Sequence, residues 1–121
     1  MKRDMDLVRK ILLWAEIQEH GYVEGNPSID GYSEEEIGYH VYLMYQANLV
    51  IAADTSAKGD KSPNAILIGL SWLGHEFLDA AKDDTIWSKA KKTVLKTTTG
   101  ITFDVLLEWL KAEVKRKIGL D

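Results

Sequence analysis

The chain has 121 residues, 45% of them hydrophobic and 28% charged, with a formal net charge of −4, which is the balance of one globular domain and excludes a disordered chain. It has no cysteine, which excludes disulfides, thiolate metal sites and cysteine nucleophiles. No apolar run approaches the roughly 18 to 20 residues of a membrane span.

The opening Met1-Lys2-Arg3-Asp4-Met5-Asp6 follows its basic pair with acids and offers no small-residue cleavage site. It reads as mature structure rather than a leader, and a cytoplasmic location is expected. Residues 4–20 form the first predicted helix: Asp4 is placed to cap it, and Leu7, Val8, Ile11, Leu12, Trp14 and Ala15 recur at three- and four-residue spacing. Gly21 is the expected stop. From Tyr22 to Tyr32, Gly25, Asn26, Pro27, Asp30 and Gly31 are turn chemistry, with room for one short extended piece at Ser28–Asp30.

Ser33 with Glu36 has the spacing of a capping box, and Glu34, Glu35 and Glu36 complement the dipole of a second helix. That helix carries Ile37, Val41, Met44 and Ala47 on one face and ends near Asn48. Leu49–Ala53 is short and rich in β-branched residues, and Ala65–Ile68 is its return strand. The polar tip between them, Thr55–Pro63, holds Lys58 and Lys61. Ser71 caps a third helix to about Ala81, expected to bury Trp72, Phe77 and Leu78. Asp83 and Asp84 open a fourth, with Ile86, Trp87, Ala90 and Val94 on one face, which Thr97-Thr98-Thr99-Gly100 breaks. The last starts near Thr102 or Asp104 and carries Leu106, Leu107, Leu110, Val114 and Ile118.

A helix, a striped helix and a hairpin, in that order, predict an α+β fold: a winged helix-turn-helix-like domain over residues 1–81, its β-hairpin wing having two or three strands. Two extra C-terminal helices, at 82–121, pack back on it or dimerise, as one structural unit. Such folds normally supply two helices before the hairpin, and only one is clear after residue 21. The preferred reading makes residues 22–33 a short strand and the second helix degenerate; the alternative breaks the 33–48 helix near Gly38.

Several phrases resemble a known family: Met1-Lys2-Arg3-Asp4-Met5-Asp6-Leu7-Val8-Arg9-Lys10-Ile11-Leu12-Leu13, Gly31-Tyr32-Ser33 leading into Ile37, His40 and Leu43, Leu49-Val50, Leu70-Ser71-Trp72-Leu73-Gly74-His75-Glu76-Phe77-Leu78-Asp79, and Trp87-Ser88-Lys89. Together they are similar to domain-of-unknown-function family 2513, a set of uncharacterised bacterial and phage-associated proteins. The resemblance spans nearly the whole chain, with the last helix its loosest part. It implies a winged-helix-like fold and a mobile-element setting, and brings no catalytic residues with it.

No motif for chemistry is complete. His75 and Glu76 match the start of a zinc-protease phrase, but Asp79 stands where its second histidine belongs. His75 and Asp79 share a helix face, yet a helix burying its apolar side while His75 makes a hydrogen bond is the favoured reading. His40 and His20 have no spaced partner, and a satisfied or partly buried histidine is the default for His40. There is no phosphate-binding glycine loop and no nucleophile elbow. No enzyme activity, catalytic residue, metal or cofactor is therefore expected.

Charge placement frames two binding readings. Residues 21–54 hold six acids and no lysine or arginine, whereas residues 86–121 hold eight bases against four acids. The first reading is a phage or mobile-element accessory or transcription regulator in weak contact with the DNA backbone through Lys58, Lys61, Lys89, Lys92, Lys115 and Arg116. Against it, Glu34–Glu36 occupy the turn that a recognition helix would present to phosphates. The second is a protein-interaction adaptor, without DNA binding, using Glu34 and Glu35 or the C-terminal stripe of Leu107, Trp109, Leu110 and Val114. A homodimer built on that stripe is part of this reading. No membrane partner is expected.

Overall fold

A computed structural model describes residues 1–96 and 101–120. The elements in chain order are α1 (Met5–Glu16), α2 (Glu34–Gln46), β1 (Val50–Asp54), β2 (Ala65–Leu70), α3 (Trp72–Ala81), α4 (Asp84–Lys92), a 3-10 turn (Val94–Lys96) and α5 (Phe103–Lys117). The fold is mixed α+β, with five helices and one two-stranded antiparallel sheet among the described residues. The chain divides into two compact units, Met1–Glu76 and Phe77–Asp121. The division falls inside α3.

In the first unit, Asp4 caps α1 by accepting from the amides of Asp6 and Leu7 at 2.9 and 3.3 Å. The helix ends at Glu16, short of the expected Gly21. Gln18 explains the early stop: its amide bonds Ala15 O and its side chain bonds Trp14 O at 2.8 Å, which satisfies carbonyls the last turn would leave orphaned. The core is Leu7, Val8, Ile11, Leu12 and Ala15 of α1, Ile37, Val41 and Met44 of α2, and Leu49, Val50, Ala65 and Leu67.

The capping box on α2 forms as the sequence suggests, with Ser33 Oγ and Glu36 Oε1 each accepting the other residue's amide at 3.1 Å. The helix runs unbroken through Gly38, so the alternative of a break there is excluded. Asn48 follows it at φ +61, a left-handed position at a helix end where asparagine is tolerated. Residues 17–33 contain neither a helix nor a strand, so the short strand preferred at 22–33 is not present as one.

β1 and β2 pair from Val50↔Leu70 to Asp54↔Ala65, with a bulge between Ile51 and Ala52. Ser71 ties the end of β2 back to the start of β1: its amide and hydroxyl bond Leu49 O and Asn48 O at 3.3 and 2.5 Å. The same hydroxyl accepts the Gly74 amide at 3.0 Å, the cap expected for α3. Trp72, expected inside, is 86% exposed. It stands on the first turn of α3.

In the second unit, Phe77 meets Trp87 edge to face, with ring centroids 6.4 Å apart, and lies 5.1 Å from the Phe103 ring. Leu78, Ala80, Ala81, Ile86, Ala90, Leu106, Leu107 and Leu110 complete the buried set. Asp83 caps α4 through the Ile86 amide at 2.9 Å, and Thr102 caps α5 through the Val105 amide at 3.2 Å. The helix expected to reach Thr97 ends at Lys92, where Thr93 Oγ1 donates to Lys89 O at 2.8 Å and a 3-10 turn follows. The break assigned to Thr97–Gly100 lies outside the described residues.

Candidate interaction surface on the hairpin and second helix

The hairpin loop, residues 55–64, is knitted by its own side chains. Thr55 N–H bonds Asn64 O at 2.9 Å, while Ser56 Oγ donates to Asn64 O and accepts Asn64 N–H at 3.2 and 2.9 Å. Asp60 Oδ2 takes the Ala57 amide at 2.7 Å, which shapes the tip around Gly59 at φ +98. Asp54 accepts the Ser56 amide at 2.9 Å, and hydrogen bonds from Ser56 hold its carboxyl below the usual range.

This loop lies against the start of α2. A methyl group at Gly38 would overlap Asn64 Oδ1, so the glycine leaves room for the Asn64 side chain over the helix. Ser62 Oγ also donates to Glu35 Oε1 at 3.4 Å. Lys58 and Lys61 are exposed, as predicted for a tip, and Lys61 is the sequence neighbour of the residue that contacts the acidic turn. Glu34 and Glu35 are exposed beside it.

The two edges of the sheet differ. Along β2, Asn26 acts as a substitute strand: its carboxamide donates to Ala65 O at 2.9 Å and accepts Leu67 N–H at 2.8 Å. Val23 N–H bonds Ile68 O at 2.9 Å. A Cβ at Gly69 would lie 2.8 Å from Gly21 O, so this segment runs close along the edge. Ala65 and Leu67 turn their side chains inward, while Ile66 is 38% exposed, Ile51 is 50% exposed and Ala53 is exposed. The hairpin thus offers an apolar outer surface.

His40 is 1% exposed and fully used. Nε2 accepts the Asp4 amide at 2.9 Å, and Nδ1 lies 2.8 Å from Glu36 O, the distance of a donated hydrogen bond. These contacts correspond to the neutral ring with its proton on Nδ1. Tyr32 O–H donates to Asp4 Oδ2 at 3.2 Å. Burial, then the Asp4 carboxylate, pushes the Tyr32 hydroxyl above its ordinary value. His40 therefore joins the start of α1 to the first turns of α2, as a structural residue.

The remaining candidates do not converge. His75 and Asp79 are exposed on α3, and no group of three metal-ligating side chains exists among the described residues. Lys89 and Arg116 both bind Glu113, at 3.0 and 2.5 Å, and Lys117 binds Asp83. Hydrogen bonds from Lys89 and from Lys117 respectively hold the Glu113 and Asp83 carboxyls below the usual range. Lys92 and Lys115 are exposed. Leu107 and Leu110, assigned above to a contact stripe, are buried within the chain itself and present no surface. Trp109 and Val114 are half-buried, and Lys89 Nζ sits 5.9 Å from the Trp109 ring centroid.

A family model described as "Hypothetical protein (DUF2513)" matches residues 2–101. The chain belongs to this family. The match ends before α5, the part where the resemblance was loosest. This DUF2513 member is also 36% identical over 107 residues to an "Uncharacterized protein" of Haemophilus influenzae (strain ATCC 51907 / DSM 11121 / KW20 / Rd), covering 88% of this chain and 89% of the relative. No solved structure matches it. No helix among the described residues is long and apolar enough to cross a membrane.

Sequence reasoning missed Asn26 and Gly38 in this DUF2513 member. Asn26 read as turn chemistry, and only the presence of β2 beside it reveals a strand substitute. The signal for Gly38 was available: a glycine inside a capped, striped helix costs about 1 kcal/mol in propensity and points to a close approach.

Proposed function

We propose that this DUF2513 member is a small binding module of winged-helix type that contacts another protein through its hairpin, rather than an enzyme or a reader of nucleic acid. One observation carries the reading: the loop bearing Lys58 and Lys61 meets the acidic first turn of α2, where Ser62 Oγ donates to Glu35 Oε1 at 3.4 Å. Phosphate affinity depends on concentrated positive charge and release of counterions. Here the two lysines stand on a loop that touches Glu35, so carboxylates accompany whatever positive charge the loop could offer. Lys89, Arg116 and Lys117 are engaged with carboxylates of their own unit, which lowers what they could offer a phosphate. The apolar outer surface of the hairpin, by contrast, is what a protein partner would cover.

The test is a fluorescence-anisotropy titration against random duplex DNA at low and physiological salt, with wild type and the Lys58→Glu/Lys61→Glu variant. The expected result is no binding up to about 50 µM at low salt and no difference between the two proteins. Low-micromolar binding that falls steeply with salt, and that the double variant abolishes, would overturn the reading in favour of DNA-associated regulation.

A further inference from the structure

We propose that the free edge of β1 docks β1 of a second copy of this chain, giving a two-fold pair with a continuous four-stranded antiparallel sheet. The proposal rests on the reading of the hairpin as a protein-contact element and names its partner. It starts from the contrast between the two edges. The β2 edge is closed by Val23 and by the Asn26 carboxamide. Ala65 O and Leu67 N–H point toward that edge, so in an antiparallel ladder their cross-strand partners, Asp54 and Ala52, turn their backbone groups the opposite way. The Thr55–Asn64 bond, one step along, fits the same alternation. Among the described residues no hydrogen bond reaches that outward side of β1.

An edge of this kind is normally protected by a lysine, a proline or an inward-pointing charge. Residues 49–53, Leu-Val-Ile-Ala-Ala, contain none. The Asp54 carboxylate is drawn into the loop by the Ser56 amide and does not cover the edge.

Charge selects the partner's register. A two-fold axis through Ala52 sets Ala52 against its own counterpart and Val50 of each copy against Asp54 of the other. The two Asp54 residues are then four strand positions apart, about 13 Å at roughly 3.3 Å per residue, which exceeds the screening length of about 8 Å at physiological salt. A register with Asp54 facing Asp54 would set like charges directly opposite and is disfavoured. In the favoured register Ile51 and Ala53 of one copy lie beside Ala53 and Ile51 of the other, so the apolar outer stripe becomes continuous. Ala52, at the axis, is small enough for the strands to approach.

Sedimentation velocity on the full chain, from about 1 µM to about 500 µM at physiological salt, tests this. Wild type is expected to pass from monomer to dimer across the range. Ala52→Pro removes only an outward N–H, a position where an edge strand tolerates proline. At about 1 µM, where both chains are monomeric, it should keep the wild-type circular dichroism and melting temperature, and it should stay monomeric across the whole range. Ile51→Lys, which charges the outer stripe, should weaken association at least about tenfold. A monomeric wild type overturns the proposal, whether or not another protein's extended segment takes the edge. A dimer indifferent to both substitutions overturns it too, as does an Ala52→Pro chain that fails to fold, since that N–H would then belong to the hairpin. A monomer that also ignores duplex DNA removes the second copy and leaves the protein-contact reading standing.

Discussion

Replacing Asn26 by alanine tests the claim that one side chain stands in for a strand. Two hydrogen bonds are lost, leaving Ala65 O and Leu67 N–H without their partner on a part-buried edge. A buried backbone group stranded in this way costs about 1–3 kcal/mol, and partial access of water favours the lower end. The expected loss is therefore about 2 kcal/mol. With a urea m-value of about 1–3 kcal/mol/M for a chain of this size, the midpoint should fall by about 1 M while m stays constant. Amide hydrogen exchange gives the local readout: Leu67 should lose protection in Asn26→Ala by more than the global loss of stability explains, since water then reaches its N–H directly. Asn26→Asp adds a sign. Its carboxylate still accepts from Leu67 but confronts Ala65 O, which raises the carboxyl pKa in the folded state above its unfolded value near 4. Its stability gap to wild type should be smallest below that value and widen as pH rises through the folded pKa. An Asn26→Ala chain within about 0.5 kcal/mol of wild type, with Leu67 exchange unchanged, would refute the reasoning.

Gly38→Ala should change stability by no more than about 1 kcal/mol, because the new methyl meets only the end of the Asn64 side chain, which turns aside and gives up its hydrogen bond to Thr55 Oγ1 while alanine gains helix propensity; thermal melts of Gly38→Ala, Asn64→Ala and the double variant should show the two substitutions coupled. Glu113 and Asp83 are both held below the usual carboxylate range, so the stability they add is present above about pH 4, their unfolded value, and is lost as pH falls through the lower folded values. Acid titration of Glu113→Gln and Asp83→Asn, followed by circular dichroism, should show a shallower acid limb than wild type. The change should be modest, because exposed ion pairs are screened.

Most local structure was legible because the side chains that create it are close in sequence. Asp4, Ser33, Ser71, Asp83 and Thr102 start their helices by bonding amides two or three residues ahead, and the hairpin follows from two short apolar runs around a polar tip. The ends of α1 and α4 were less legible. Gln18 and Thr93, which satisfy the final carbonyls, are chemically ordinary surface residues whose roles depend on the conformation they adopt.

The candidate surface is different in kind. Lys58, Lys61, Glu34 and Glu35 were visible as charges, but that their loop and helix touch is decided by Asn64 lying over Gly38, residues 26 positions apart. The C-terminal stripe shows the same limit. Leu107 and Leu110 have the spacing of an interface and equally of a core, and periodicity carries no information about what faces the stripe. The sequence alone determined element types, caps and the uneven distribution of charge, since these follow from neighbours along the chain. Only the tertiary structure decided that Asn26 closes one sheet edge and that β1 keeps the other open, because an edge is defined by what lies beside a strand in space.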